Sequence, residues 1–186
     1  MSDLNFTLDL ELWLDQELIK RQNRLKAAFL ILLEQLGNSF SNQSLSELHP
    51  NSKGKKISKG NDLLGFPYQV LDLIRDFDPE TGLNIRVLNW FGNGFYVLVY
   101  LGNEYPSNNQ ELLNSGFAFS LTESPWDYPE MIKNENTSKK NEEWHLVRSK
   151  PIVWFKELQV AEKADSALIV FQSEIRNILE ILKLSI

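Results

Sequence analysis

The stretch Leu88-Asn89-Trp90-Phe91-Gly92-Asn93-Gly94-Phe95-Tyr96-Val97-Leu98-Val99-Tyr100-Leu101 decides the fold. Two runs rich in β-branched and aromatic residues flank Gly92-Asn93-Gly94, and glycine and asparagine tolerate the positive φ of a tight hairpin turn. A two-residue loop can be Gly92-Asn93 or Asn93-Gly94. These alternatives differ in register by two residues, so both give the same faces, because side chains alternate along a strand. One face then carries Leu88, Trp90, Phe95, Val97, Val99 and Leu101. The other carries Ile85, Val87, Asn89, Phe91, Tyr96, Leu98 and Tyr100.

Outward from this hairpin, residues 68–74, 83–91 and 117–122 also read as strands, with shorter candidates at 144–147 and 152–155. At the N-terminal end, Leu14, Leu18, Leu25, Phe29, Leu32 and Leu36 recur at spacings of three, four or seven, which predicts a helix over 15–36 with one buried stripe. The preceding residues 6–12 alternate with period two and read as a short edge strand or, in preference, as an extension of the helix back to near Leu10. Asp15 is its expected N-cap and Gly37 its stop. At the other end Ala161, Ala164, Leu168, Phe171, Ile175, Ile178 and Leu182 form a heptad seam, which predicts a helix from about Lys156 to Leu184. Residues 38–61 are rich in Ser, Asn and Lys and read as a long connection with one helical turn at Leu45 and Leu48. Short connections between strands favour antiparallel pairing. The expectation is therefore α+β: a single domain, residues 1–186, with an antiparallel sheet of four to six strands packed on two long terminal helices. The helices should cover the face that holds Trp90 and Phe95.

Composition narrows the function. The chain has 186 residues, with 19 Lys and Arg against 25 Asp and Glu, a net charge of −6. That balance argues against a nucleic-acid binder, which needs a basic surface or stripe. With no cysteine there is no disulfide framework, no thiolate nucleophile and no Cys-ligated metal. The longest apolar runs, 27–33 and 95–101, reach seven residues, against roughly 20 for a membrane span. No basic start precedes an apolar run at the N-terminus, so the expected location is the cytosol, with no membrane partner. No motif asks for a cofactor or a metal.

The acidic run Asp72, Asp76, Asp78, Glu80 resembles the start of a calcium loop, but its glycine comes one place late and Val87 stands where a bidentate Glu is needed. Asp-Pro-Glu-Thr-Gly at 78–82 is turn chemistry instead. His49 and His145 are the only imidazoles, and no elbow or zinc motif surrounds them. Lys53, Lys55, Lys56 and Lys59 crowd a glycine-flanked segment that lacks a phosphate-loop pattern. A solvated loop or an acidic-partner contact is expected there. On the second sheet face, Asn89, Tyr96 and Tyr100 set polar groups among apolar ones, a mixture used by ligand pockets and interface cores.

Lys59-Gly60-Asn-Asp-Leu-Leu-Gly65-Phe-Pro67-Tyr68-Gln-Val-Leu71-Asp72, followed by Asn89-Trp90-Phe91-Gly92-Asn93, resembles a family of uncharacterised bacterial proteins over residues 56–101. The resemblance implies a bacterial source and no activity. It draws attention to Lys59, Tyr68 and Asp72 as one unit, with Asp72 expected to pair with Arg75, Arg86 or Lys59. The leading functional expectation is a non-enzymatic binding or protein-interaction module that meets another protein, with the negative charge steering encounter. An alternative is a small-ligand binder or enzyme with a pocket over Asn89, Tyr96 and Tyr100, using Asp72 or His145. A third is a homodimer joined through helical seams or sheet faces.

Overall fold

The computed structural model describes residues 5–147 and 150–184. Its element order is α1 (Leu10–Leu14), α2 (Gln16–Asn38), α3 (Asn42–Leu48), β1 (Lys56–Leu63), β2 (Phe66–Arg75), β3 (Leu83–Trp90) and β4 (Gly94–Leu101). There follow α4 (Asn109–Asn114), β5 (Ala118–Ser120), α5 (Tyr128–Lys133), β6 (Thr137–Ser138), a 3-10 turn (Asn141–Leu146), β7 (Ile152–Leu158) and α6 (Ala164–Lys183). The strands form one seven-stranded antiparallel sheet in the order β1-β2-β3-β4-β7-β5-β6. Helices α2 and α6 pack on one of its faces, so the α+β expectation stands and the strand count rises to seven.

Local chemistry explains most boundaries. Asp15 caps α2, its Oδ1 accepting from the Leu18 N–H at 2.9 Å. The helix runs one residue past Gly37, and Lys55 Nζ donates to the carbonyls of Gly37 and Phe40, both at 2.9 Å, placing a cation at the negative end of the helix. The β1–β2 turn is Leu64-Gly65, with φ of 53° and 82°, the left-handed pair that a two-residue hairpin requires. The lysine-rich segment expected to be a loop is therefore largely edge strand β1, where charged side chains discourage pairing with another sheet. The candidate strand at 144–147 is occupied mostly by the 3-10 turn.

The central hairpin corrects the face assignment. Trp90 pairs with Gly94 and Leu88 with Tyr96, so the loop is the three residues Phe91-Gly92-Asn93. The Asn93 N–H donates to the Trp90 carbonyl at 2.9 Å, and Gly92 and Gly94 hold φ of 78° and 119°. Counting three loop residues instead of two shifts the pairing by one, which swaps the faces of one strand relative to the other. Ile85, Val87 and Asn89 consequently join Phe95, Val97, Val99 and Leu101 under the helices. Trp90 and Leu88 lie with Tyr96, Leu98 and Tyr100 on the opposite face, in a second core closed by Tyr128 and Met131 of α5.

The C-terminal helix also starts later than the seam implied. Residues 152–158 form β7, which inserts between β4 and β5 with a ladder from Leu101↔Ile152 to Phe95↔Leu158. Ala164 is exposed, and burial along α6 begins at Ala167 and continues through Phe171, Ile175, Ile178 and Leu182. Lys156, pointing to the helix side of β7, reaches Glu174 Oε2 at 2.7 Å and ties the sheet to α6.

Candidate functional site

The six residues singled out from the sequence separate onto the two faces. On the face away from the long helices, Asp72 is buried at 3% exposure and pairs across the β2–β3 ladder with Arg86. Arg86 Nε donates to Asp72 Oδ1 at 2.7 Å, Nη2 to Oδ2 at 3.2 Å and Nη1 to the Tyr128 hydroxyl at 2.8 Å. Asn84 Nδ2 donates to the same Oδ1 at 2.9 Å and to the Ile74 carbonyl at 2.7 Å. Burial alone would lower the Arg86 pKa, but the hydrogen bonds and charges of Asp72 and Tyr128 outweigh it and hold the pKa above its ordinary value. Burial pushes the Tyr128 phenol up. Arg86 answers the question of Asp72's partner, and both Asp72 oxygens are taken up within the set.

Tyr96 and Tyr100 share that face and are covered. Tyr96 donates to the Asn93 carbonyl at 2.7 Å, closing the hairpin loop. Tyr100 lies under Trp126, with ring centroids 5.3 Å apart and planes 15° from parallel, and its hydroxyl reaches the carbonyl of Asp78 at 3.2 Å. The segment 125–133 thus covers Tyr100, while beside Tyr96 a cavity of about 360 Å³ remains, lined also by Met131, Ile132, Phe155 and Glu157. Asn89 is absent from that face altogether, donating instead to Gln69 Oε1 at 3.1 Å beneath α2.

Lys59 lies elsewhere, in a cleft of about 450 Å³ between α2 and the β1–β2 hairpin, together with Asn23, Lys26, Asn61 and Gln69, whereas the Tyr68 ring stays on the Asp72 face, against the second core. Gly60 is required there, because a Cβ would lie 2.4 Å from the Tyr68 ring. Asn89 touches this cleft only through Gln69, whose Nε2 donates to the Lys26 carbonyl at 2.8 Å. Among the described residues the cleft offers ammonium and amide groups but no carboxylate or imidazole for proton transfer near neutral pH.

The titratable candidates serve the fold. His49 Nε2 and Asp76 Oδ2 are 2.8 Å apart, a pair of a buried imidazole and a half-buried carboxylate that fastens the end of α3 to the turn after β2, and among the described residues no hydroxyl joins them. Asp78 Oδ1 accepts from the backbone N–H groups of Thr81 and Glu80, which hold its carboxyl below the usual range and make 78–82 a turn. His145 is exposed, its Nδ1 2.7 Å from the Glu142 carbonyl. Among the described residues no three His, Asp or Glu converge on a metal position.

The residues that stand out were misread from the sequence. Every residue from Asn5 to Leu25 is exposed. Phe6, Leu8, Leu10, Leu12, Trp13 and Leu14 lie between 53% and 69% exposed, and Leu18, Ile19 and Leu25 between 43% and 48%. The N-terminal half of the expected buried stripe therefore covers nothing. Helix α1 has no buried residue, and it joins α2 at Asp15, whose ψ of 84° breaks the helix between them. A legible signal was present: Phe6, Leu8, Leu10 and Leu12 alternate with Thr7, Asp9 and Glu11, and Trp13 and Leu14 then break the alternation, so residues 6–14 show no single helical stripe. Among the described residues no helix is long and apolar enough to cross a membrane. No family model, curated protein or solved structure matches the chain.

Proposed function

We propose that this chain is a non-catalytic protein-interaction module that meets its partner through the N-terminal arm, residues 6–25. The observation that carries this reading is the arm's run of exposed large apolar side chains beside two closed cores. At their stated exposures the arm presents on the order of 900 Å² of apolar side-chain surface, comparable to one side of a standard protein interface of about 800 Å². Isolated monomers rarely leave so large an apolar patch to water. The small-ligand alternative has less support, because Asn89 lies on the other face from Tyr96 and Tyr100. The net charge of −6 then acts on encounter rates rather than on chemistry.

A photoreactive amino acid placed at Trp13, with a control at Glu47 on the exposed side of α3, tests the proposal in the cells that make the chain. The expected result is a covalent adduct to polypeptide at position 13 and none at position 47. Irradiation that joins no polypeptide at position 13 would contradict it.

A further inference from the structure

The arm carries its charges in two separated blocks. Asp9, Glu11, Asp15 and Glu17 supply four negative charges with no positive one among them. Lys20, Arg21, Arg24 and Lys26 follow, four positive charges with no negative one among them, in a chain that is acidic overall. Between the blocks lie Leu18 and Ile19, exposed at 45% and 43%. Among the described residues only the exposed Lys20–Glu17 pair, at 3.6 Å, links the blocks within the chain, and Arg21, Arg24 and Lys26 form no ion pair.

Such a segment is complementary to itself when two copies run antiparallel. A two-fold axis through Leu18 and Ile19 sets the acidic block of each copy against the basic block of the other, while a parallel arrangement would set like against like. We infer that the occupant of this arm is a second copy of the chain, bound antiparallel about Leu18–Ile19. The inference rests on the interaction reading above and names its partner.

Two further features fit this arrangement. Helix α1 has five residues and buries none of them, and a helix so short does not hold itself in water without a covering surface. An apolar groove of about 410 Å³ opens between α2 and the chain entering α6, lined by Leu25, Phe29, Val160 and Ala161 among others. Leu25 lies seven residues after Leu18 on α2, so the antiparallel arrangement sets the Leu25 rim of that groove just beyond the start of the partner's α2, where α1 joins it at Asp15. The apolar arm and the apolar groove then cover each other twice across one axis, as an isologous interface requires.

Light scattering on the purified full-length chain, at about 100 μM and through serial dilution, tests this pairing. The intact chain is expected at twice its 21.6 kDa mass. Leu18→Glu places two carboxylates at the axis and is expected to weaken association at least 100-fold, as read from the dilution series. A chain carrying Glu11→Lys and Glu17→Lys has a positive arm, and one carrying Arg21→Glu and Arg24→Glu has a negative arm. Each alone is expected at the single-chain mass, and their equimolar mixture at twice it, which shows that each variant still folds. All these positions are solvent-exposed. A single-chain mass for the intact protein at about 100 μM would overturn the pairing, as would a dimer indifferent to Leu18→Glu or to the charge blocks. In either case an adduct at position 13 to a different polypeptide would leave the interaction reading standing, and the absence of any adduct would remove both.

Discussion

Asp72→Ala is expected to destabilise the fold by about 3–5 kcal/mol, because it leaves a charged guanidinium in a largely buried position without its counter-ion. The Asp72 side chain is 4% exposed and that of Arg86 16%. Removing the carboxylate strips Arg86 of two hydrogen bonds and Asn84 of one, and only the Tyr128 hydroxyl remains to the cation. Desolvation of a charge is costly when its partner is missing, but much of that cost disappears when both partners are apolar. Asp72→Val combined with Arg86→Leu is therefore expected to cost less than Asp72→Ala alone. Urea unfolding of the three chains measures this. A loss under about 1 kcal/mol for Asp72→Ala would mean that water already reaches the pair.

Phe95→Ala is expected to cost a similar amount, about 3–5 kcal/mol, for a different reason. Phe95 is the point at which the sheet meets both long helices. Its ring centroid lies 5.0 Å from that of Phe29 on α2, edge to face, and 5.2 Å from that of Phe171 on α6. Phe29 also meets Phe91 of the hairpin loop at 5.9 Å. Deleting the ring loses its transfer free energy and leaves a cavity between elements from opposite ends of the sequence, which cannot close without moving a helix. Because Val97 and Val99 continue the same face, the sheet should persist while the helices loosen. Thermal unfolding followed in the far ultraviolet reports the loss, and a midpoint shift below about 3 °C would show that the three rings do not act as a joint.

Much of the architecture was readable because it follows from local chemistry. Asp15 followed by an apolar helical repeat, Asn and Gly between two aromatic strands, and Pro50 after Leu48 each determine a boundary within a few residues. The errors lie where a distant element decides. Whether the hairpin loop had two or three residues could not be read from Gly92-Asn93-Gly94, since each of these residues suits either turn. The choice is settled by which β3 parity fits beneath the helices, and Ile85 and Val87 suit that side while Trp90 needs the Leu63 carbonyl for its indole N–H at 3.1 Å. The heptad seam from Ala161 to Leu182 predicts a helix from about Lys156 and so takes in residues 156–158. They become strand because the ladder with β4 extends to Leu158.

The same limit explains the candidate residues. Asp72 was recognisable as a carboxylate inside a strand that must find a partner, and Arg86 supplies it one strand away. Asn89 was grouped with Tyr96 and Tyr100 only through the parity error. The arm was missed for a third reason. A helical repeat shows which residues could be buried together, but not whether anything lies opposite them, and the sheet meets only the later part of α2, from about Lys26 to Gly37, with full burial beginning at Leu32.

On the proposed pairing, the arm is an intermolecular contact surface that holds its structure against a partner copy. Hydrogen exchange at the backbone amides of Trp13 and Asp15, which donate to the carbonyls of Asp9 and Leu12 at 3.1 and 3.3 Å, measures this directly. The account predicts amides protected at least about 100-fold in concentrated protein, with the protection lost on dilution. Exchange at the rate of an unstructured chain at every concentration, or protection that dilution leaves untouched, would contradict it.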